Sequence, residues 1–326
     1  MILGYVEHEG GAADPVSLQM LTLARRLAGE MDVEVHAVVV GDAGGSLIGE
    51  LSAYGVSTVH VVHHDRLGKY APRAWARSLD GLVGTLAPEA VMAAGIERST
   101  EVMAHLAAMR DLPMIANCTE VRPGEPFLVT RLRWGGSLFE EASVGGTVRL
   151  LTVAPHVVAA ETNDKASEPS VEEVTPALED WDFLVQVSGR VEAASGKARL
   201  PDARVVVGGG RGVGGPDGFG KLDELAALLG GTVGVSRVVT SAGWRPHSDQ
   251  IGQTGTRIAP DIYIACGISG AIQHMVGCKG AKRILAINSD AEAPIVAKAD
   301  YAVIGDLHAI VPAVISEIRA SGLRAD

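Results

Sequence analysis

Short apolar runs alternate with longer amphipathic stretches over the first third of the chain. The runs have the length of buried strands, and the stretches between them repeat apolar residues at helical spacing. The predicted strands are 2–6, 33–40, 56–62, 90–94 and 114–116. The predicted helices are 18–27, 47–54, 75–86 and 101–109. Alternating strands and helices of this kind are typical of a parallel, doubly wound sheet.

The pattern changes after Cys118, where short alternating runs follow one another without helical stretches. These runs are 121, 127–132, 138–142 and 148–153. They predict an antiparallel extension at one edge of the first sheet. The segment 163–180 is rich in Glu, Ser, Thr, Pro and Lys, which predicts a surface linker or a long excursion. A last strand-like run covers 184–191.

A second α/β pattern begins after 193–202, which we interpret as the crossing between two domains. Its predicted strands are 203–207, 233–235, 262–265, 284–287 and 302–304. Its predicted helices are 222–229 and 307–318. We therefore expect an α/β protein with two Rossmann-like, doubly wound parallel-sheet domains, over 1–192 and 193–326. The N-terminal domain carries the antiparallel extension.

Composition and charge narrow the function classes. The chain has 326 residues, is 47% hydrophobic and carries a net charge of −11, with no basic run. Nucleic-acid binding is therefore not expected, because phosphate contacts need clustered Lys and Arg. Its three cysteines are too few and too scattered for a disulfide scaffold. Without a leader pattern or an apolar run of membrane-spanning length, we expect a soluble, cytoplasmic protein with no membrane insertion.

The most informative chemistry lies around the predicted strand 262–265. Small and neutral polar residues surround it, from Gln250 to Gly255 and from Cys266 to His274. A strand that ends in a glycine turn before a helix makes a site for a phosphate-bearing ligand. The neutral donors and acceptors suit a polar ring that takes up electrons better than they suit hydrolysis. These residues are Gln253, Thr254, Ser269, Gln273 and His274.

A second candidate is the glycine-rich loop that follows the strand 203–207. Gly210, Gly212 and Gly215 fit the G-x-G-x-x-G pattern of dinucleotide sites. The acid that holds a ribose in NAD sites is replaced by Ser236 and Arg237, which weakens an NAD interpretation and leaves NADP open. An NAD(P)-dependent dehydrogenase that uses Gly208–Gly215 therefore remains an alternative, as does a glycine turn without a ligand.

Other motifs are weaker. The stretch 215–221 begins like a phosphate-binding P-loop, but Leu222 replaces the hydroxyl residue that binds magnesium. Ser269 is not in the G-x-S-x-G pattern of a hydrolase. His274, Cys266 and Cys278 offer three ligands where structural zinc usually has four, so we expect no metal. From spacing alone, Thr254 and His274 also fit an ordinary strand-end threonine and a buried, satisfied histidine.

Three segments together resemble the alpha-subunit family of electron-transfer flavoproteins. They are the loop Gln250-Ile251-Gly252-Gln253-Thr254-Gly255, the stretch from Tyr263 to His274, and the stretch from Ala286 to Ile295. The resemblance covers nearly the whole chain. It implies an FAD-binding electron carrier without its own organic substrate, with FAD in the C-terminal domain and a subunit interface in the N-terminal domain. It also implies a heterodimer with a separate beta subunit, a flavin dehydrogenase donor such as an acyl-CoA dehydrogenase, and a quinone reductase or other acceptor.

The resemblance further implies a role for individual residues. Thr254, His274 and Arg237 are expected to tune the redox properties of the flavin ring. Arg211 is expected to meet the pyrophosphate, and Asn288 and Asp306 the adenosine end. The complete predicted set of cofactor-binding residues is Arg211, Ser236, Arg237, Ile251, Gly252, Gln253, Thr254, Ser269, Gly270, Ala271, Ile272, Gln273, His274, Asn288, Asp306 and Leu307.

Overall fold

A computed structural model describes residues 1–41, 45–163, 168–189 and 199–321. The chain divides into unit 1, Met1–Arg190, and unit 2, Val191–Asp326. The domain boundary predicted between 192 and 193 lies outside the described residues. Among the helices that the structure describes, none has the length and apolarity to cross a bilayer.

Unit 1 is built on a nine-stranded sheet with a separate two-stranded ribbon. Its strands are β1 (Ile2–Tyr5), β2 (His8–Glu9), β3 (Ala12–Ala13), β4 (Val35–Val40), β5 (Thr58–Val62), β6 (Ala90–Ala94), β7 (Met114–Arg122), β8 (Phe127–Arg133), β9 (Leu138–Val144), β10 (Arg149–Val153) and β11 (Ser170–Val174). Its helices are α1 (Pro15–Met31), α2 (Gly45–Ala53), α3 (Pro72–Leu86) and α4 (Glu97–Arg110). The order in the large sheet is β11-β5-β4-β1-β6-β10-β7-β8-β9.

Apolar cores cover both faces of this sheet. Ile2 packs with Met20 of α1 in one cluster, whereas the next residue, Leu3, packs with Leu79 of α3 and Leu106 of α4 in another. Because successive strand residues point to opposite faces, the same strand supplies both cores. Strands buried on both faces and helices on both sides define a doubly wound sheet. The predicted fold class is therefore confirmed, including the antiparallel extension, which is β7-β8-β9.

The structure corrects the prediction for 148–153, which we expected in the antiparallel edge. This segment is β10, and it pairs in parallel with β6 on one side and β7 on the other. Leu150 belongs to one core cluster and Leu151 to the other. A strand covered on both faces belongs in the interior of a parallel sheet.

Two predictions for the last part of unit 1 are also corrected. The polar segment 163–180 contains a strand, β11, which pairs in parallel with β5 at the sheet edge. Its side chains are largely exposed, so the strand needs no apolar run. The opposite error concerns 184–191, because residues 184–189 form no strand and Leu184 and Val185 are exposed. Residues 190 and 191 lie outside the described part of the chain.

Unit 2 has a five-stranded parallel sheet. Its strands are β12 (Val205–Gly209), β13 (Thr232–Val235), β14 (Ile262–Cys266), β15 (Ile284–Asn288) and β16 (Tyr301–Ile304), in the order β13-β12-β14-β15-β16. Its helices are α5 (Phe219–Leu228), α6 (Arg237–Ser241), α7 (Ile272–Cys278) and α8 (Leu307–Ser321). Leu222 of α5 and Val311 of α8 pack on one face. Ile251, Ile258 and Cys278 pack on the other face.

Candidate functional site

The strand order of unit 2 creates a crevice between β12 and β14. After β12 the chain runs to β13 on one side, and it later returns to β14 on the other side. Loops that leave two neighbouring parallel strands in opposite directions open a gap at the carboxyl ends of those strands. Ligands of open α/β sheets bind at such switch points.

Two glycine loops cross at close range in this crevice. The Gly210 N–H donates to the carbonyl of Cys266 at 2.9 Å, and the Gly212 N–H donates to the carbonyl of Gly267 at 3.0 Å. A Cβ atom on Gly210 would lie 2.2 Å from the Gly267 carbonyl oxygen, and one on Gly212 would lie 2.7 Å from the Gly267 Cα. Side chains at these positions would push the loops apart. The glycines therefore serve the close approach of two backbones that form the floor of the crevice.

A second wall comes from the loop 250–258, which is fastened to α7. The Gln253 N–H donates to the carbonyl of Gln273 at 2.7 Å, and the Ile258 N–H donates to the carbonyl of Gly277 at 2.8 Å. A Cβ atom on Gly277 would lie 2.3 Å from the backbone nitrogen of Gly252. The loop and the helix therefore form one packed wall.

A cavity of about 760 Å³ fills this crevice. A volume of this size is within the range of small-molecule and cofactor sites. Fourteen of the sixteen predicted cofactor-binding residues line it, namely Arg211, Ser236, Arg237, Ile251, Gly252, Gln253, Thr254, Ser269, Ala271, Gln273, His274, Asn288, Asp306 and Leu307.

The other two predicted residues do not line the cavity. Gly270 has a φ of +81°, and a Cβ atom there would lie 2.5 Å from the backbone nitrogen of Ile295. The conformation and packing of Gly270 therefore set the shape of the turn before α7. Ile272, the first residue of α7, is exposed.

Two exposed arginines supply positive charge at the cavity wall. Arg211 follows β12, and Arg237 begins α6. Neither guanidinium group makes an ion pair within the described part of the chain. Both cations are therefore available to an anionic ligand, and arginine is well suited to phosphate oxygens.

Thr254 is tied to α6 through a buried amide. The Thr240 hydroxyl lies 2.6 Å from Gln250 Oε1, and Gln250 Nε2 donates to Thr254 Oγ1 at 3.0 Å. Gln250 is buried, whereas Thr254 is exposed. The hydroxyl of Thr254 thus lies on the cavity wall, and its oxygen already accepts a hydrogen bond from Gln250.

His274 is buried at the base of the same wall. Its Nε2 lies 2.8 Å from the hydroxyl of Tyr263, and Nδ1 makes no hydrogen bond within the described residues. Burial lowers the pKa of His274 to about 4, and the nearby backbone of Ile251 opposes part of this shift. The imidazole is therefore neutral at pH 7.

Polar residues from the ends of β15 and β16 line the far end of the cavity. Asn288 Nδ2 donates to the carbonyl of Ile268 at 2.8 Å, and its Oδ1 accepts from the Asp290 N–H at 3.0 Å. Asp306 Oδ1 accepts from the His308 N–H at 2.9 Å. These bonds hold the side chain of Asn288 at the end of β15 and the side chain of Asp306 at the start of α8.

Ten lining residues are absent from the predicted set of cofactor-binding residues, although several of them stand in the quoted motifs. They are Gly212, Val238, Ser241, Gln250, Gly267, Ile268, Ser289, Asp290, Ala293 and Gly305. Gln250 stands at the start of the quoted loop motif, and Asp290 lies within the quoted stretch from Ala286 to Ile295. Both were in the motifs that carry the resemblance, but neither was assigned a contact with the cofactor. No sequence signal pointed to Val238 or Ser241, because their place depends on how α6 packs.

The two thiols near the site, those of Cys266 and Cys278, lie in the apolar core of unit 2. Cys266 and Cys278 are buried, and burial raises the pKa of each to about 12. Over the described ranges, no group of three or more His, Cys, Asp or Glu residues is arranged to hold a metal ion. A thiol in this setting stays protonated at pH 7.

Comparisons with known proteins match both units. A family profile described as electron transfer flavoprotein FAD-binding domain matches residues 199–279, and one described as electron transfer flavoprotein domain matches residues 2–179. A solved structure of a putative thiamin diphosphate-dependent enzyme from Mycobacterium smegmatis aligns with 92% of this chain and 54% of its own, at 13% identity and a TM-score of 0.24, which is too low to support an argument.

Curated relatives align over nearly their full lengths. Each of three is named electron transfer flavoprotein subunit alpha. The relative from Mycobacterium leprae is 37% identical over 97% of this chain and 97% of its own. The one from Thermoanaerobacterium thermosaccharolyticum is 33% identical over 97% of this chain and 96% of its own. The one from Bacillus subtilis is 32% identical over 98% of this chain and 97% of its own.

Proposed function

The chain belongs to the alpha-subunit family of electron transfer flavoproteins, and on this premise we propose that it holds FAD in the cavity of unit 2 as part of a two-chain electron carrier. Its role in electron transfer and its FAD cofactor follow from the family. The nicotinamide-dehydrogenase alternative is not favoured. The proposal adds the place of the cofactor, the residues that hold it, and the partners.

The cavity has the chemical groups that FAD requires. Gly210 and Gly212 let two loops cross closely at the floor of the cavity, because a Cβ atom at either position would collide with Gly267. Among the described residues, the guanidinium groups of Arg211 and Arg237 make no ion pair and suit the pyrophosphate, and His274 Nδ1 is a buried polar atom that makes no hydrogen bond there. A buried polar atom left unpaired costs free energy, which a bound ligand removes. These observations fit FAD in the crevice.

We assign each residue a role from its position and charge. Arg211 neutralises the pyrophosphate, and Asn288 and Asp306 bind the adenosine end. When bound, FAD supplies a ring system that accepts and releases electrons. Thr254 presents a hydroxyl to that ring, and the positive charge of Arg237 favours the added negative charge of the reduced ring.

His274 acts without a charge of its own at pH 7. Because its pKa is lowered to about 4, the ring remains a neutral hydrogen-bonding group beside the cavity. A neutral imidazole supports negative charge on the cofactor only by hydrogen bonding, whereas Arg237 contributes a full charge. Because the positive charge is on the exposed Arg237 and not on the buried His274, the site favours reduction of the flavin without burying an unpaired cation.

We further propose a heterodimer with a separate beta subunit, with unit 1 as the main subunit interface. The proposed donor is a flavin dehydrogenase such as an acyl-CoA dehydrogenase, and the proposed acceptor is a quinone reductase or another oxidant. The single observation that supports the proposed cofactor site is the cavity that gathers fourteen predicted residues at the switch point between β12 and β14.

The test is an electron-delivery experiment with the co-expressed two-chain complex. An acyl-CoA dehydrogenase with its acyl-CoA substrate should bleach the flavin absorption of the complex, and a quinone reductase should restore it. The same complex with Arg211→Met serves as the comparison, because it should carry less FAD per chain. A complex that binds FAD but exchanges electrons with no flavin dehydrogenase would contradict the proposed donor class.

A further inference from the structure

A chain of three polar side chains connects α6 to the cavity wall. It runs from the Thr240 hydroxyl to Gln250 Oε1 at 2.6 Å, and from Gln250 Nε2 to Thr254 Oγ1 at 3.0 Å. Gln250 is only 3% exposed, so its amide has little water to replace a lost partner. A buried amide needs a hydrogen-bond partner at its oxygen and at its nitrogen, and the two threonine hydroxyls supply them here.

The backbone of Gln250 is fixed as firmly as its side chain. Its N–H donates to the carbonyl of His247 at 3.0 Å, and its carbonyl accepts from the Thr256 N–H at 2.7 Å. A Cβ atom on Gly255 would lie 2.3 Å from that carbonyl oxygen, so the loop closes tightly around it. The amide is therefore a preorganised group at the edge of the cavity.

The direction of these bonds decides what Thr254 offers to a ligand. A hydroxyl has one proton to donate and two lone pairs that accept. Because Gln250 Nε2 donates to Thr254 Oγ1, the Thr254 proton is not needed for this bond. Thr254 is exposed on the cavity wall, so its proton remains available to an acceptor in the cavity. The opposite amide orientation would draw that proton away from the cavity.

We infer that Gln250 is a positioning residue that keeps the Thr254 hydroxyl as a hydrogen-bond donor to the electron-accepting ring of FAD. This inference rests on the proposed flavin site and adds a residue that does not itself carry charge or electrons. Thr240 holds the far end of the same amide, since its hydroxyl lies 2.6 Å from Gln250 Oε1 and 3.0 Å from the Arg237 carbonyl oxygen. The pair acts through Thr254.

The experiment uses the two-chain complex reconstituted with FAD labelled with nitrogen-15 at the redox-active ring nitrogen. The variant Gln250→Met removes the amide at similar length, and Gln250→Glu replaces the donor by a group that only accepts. The nitrogen-15 signal, the flavin midpoint potential and the FAD dissociation constant are measured for each. Gln19→Met is the matched control, because Gln19 lies in unit 1 and its amide oxygen accepts from the His156 N–H.

Both Gln250 variants should move the nitrogen-15 signal in the direction that Thr254→Ala moves it. The FAD dissociation constant should rise about two- to tenfold, as expected for the loss of one hydrogen bond. In the Thr254→Ala background, Gln250→Met should cause no further change in signal or potential. Thr240→Val, which leaves Gln250 and Thr254 intact, should reproduce part of the shift. Gln19→Met should match the wild type.

Contradicting results are distinct for the inference and for the proposed function. If Gln250→Met keeps FAD and leaves both signal and potential at the wild-type values, the inference is wrong and the flavin site stands. If the shift persists at full size in the Thr254→Ala background, Gln250 does not act through Thr254. If Gln250→Met fails to fold, an unshifted signal in Thr240→Val overturns the inference. A wild-type complex that takes up no FAD contradicts the proposed function itself.

Discussion

The hydroxyl oxygen of Tyr263 lies 2.8 Å from Nε2 of His274, and both side chains are buried. Burial raises the pKa of Tyr263 well above its usual value, so the phenol keeps its proton. Gly208 makes room for this contact, because a Cβ atom there would lie 2.2 Å from the Tyr263 hydroxyl oxygen. A phenol that donates to Nε2 places the imidazole proton on Nδ1, and it leaves fewer buried groups unpaired than the other tautomer.

The first prediction concerns stability at acid pH. The pKa of His274 is about 4 in the folded chain and 6.5 as the ordinary value, so between these pH values the unfolded state binds more protons. Stability is therefore lost as pH falls from 6.5 toward 4, by about 3 kcal/mol for this group. His274→Gln should flatten that part of the pH dependence in chemical denaturation of the FAD-free chain.

The matched control for this prediction is His247→Gln, which changes an exposed histidine of the same unit. It should keep the pH dependence of the wild type. An equal loss of stability between pH 6.5 and 4 in the wild type and in His274→Gln would show that the imidazole is not buried in its neutral form.

The second prediction concerns the flavin potential. Thr254→Ala should lower the midpoint potential while FAD stays bound, because the reduced ring loses a donor that favours its negative charge. A hydrogen bond to a charged group contributes about 1.5–3 kcal/mol, or roughly 30–60 mV for a two-electron couple. Thr254→Ser keeps the hydroxyl and should remain close to the wild type. Spectroelectrochemical titration of the three proteins measures the shift.

The third prediction concerns the glycine crossing. Gly212→Ala should destabilise unit 2 by about 1–3 kcal/mol and reduce its FAD content, because the new methyl group would collide with Gly267. Gly215→Ala is the matched control, since a Cβ atom there meets nothing within 4 Å. Thermal denaturation and flavin content compare the two. Equal effects of both changes would argue against a close backbone crossing under the cofactor.

The fourth prediction concerns the pyrophosphate. Arg211→Met should raise the FAD dissociation constant by about ten- to a hundredfold and weaken its dependence on salt, because one charged contact is lost. Arg204→Met is the control, since Arg204 pairs with Asp261 and does not line the cavity. Fluorescence titration with FAD at two ionic strengths measures both quantities. An unchanged salt dependence in Arg211→Met would place the pyrophosphate elsewhere.

Much of the fold was readable from apolar patterning because most strands are buried on both faces. The run 90–94 appears as β6 with the predicted bounds. The apolar pattern gave wrong predictions where a segment is paired in a sheet without being buried, or is apolar without being paired. Strand β11 is exposed and is held by its backbone ladder with β5, whereas Leu184 and Val185 are apolar and exposed and belong to no strand in the described part of the chain. Pairing between distant segments leaves no local trace in such places.

The candidate site likewise has features that the sequence predicted and features that it did not. Motif resemblance located the cavity wall, because Thr254 and His274 lie within continuous segments. The bonds behind that wall were not predictable, since Gln250 meets Thr240 and His274 meets Tyr263 only through the packing of separate elements. The assignment of individual cofactor contacts stays a prediction that the variants above address.

The most direct test of the account is the visible spectrum of the purified two-chain complex, with FAD counted per copy of this chain. We expect a yellow complex whose flavin is lost on dilution far more readily from Arg211→Met than from Arg204→Met. A complex that stays colourless after incubation with excess FAD, or one whose flavin is retained equally in both variants, would contradict a cofactor held in the cavity of unit 2.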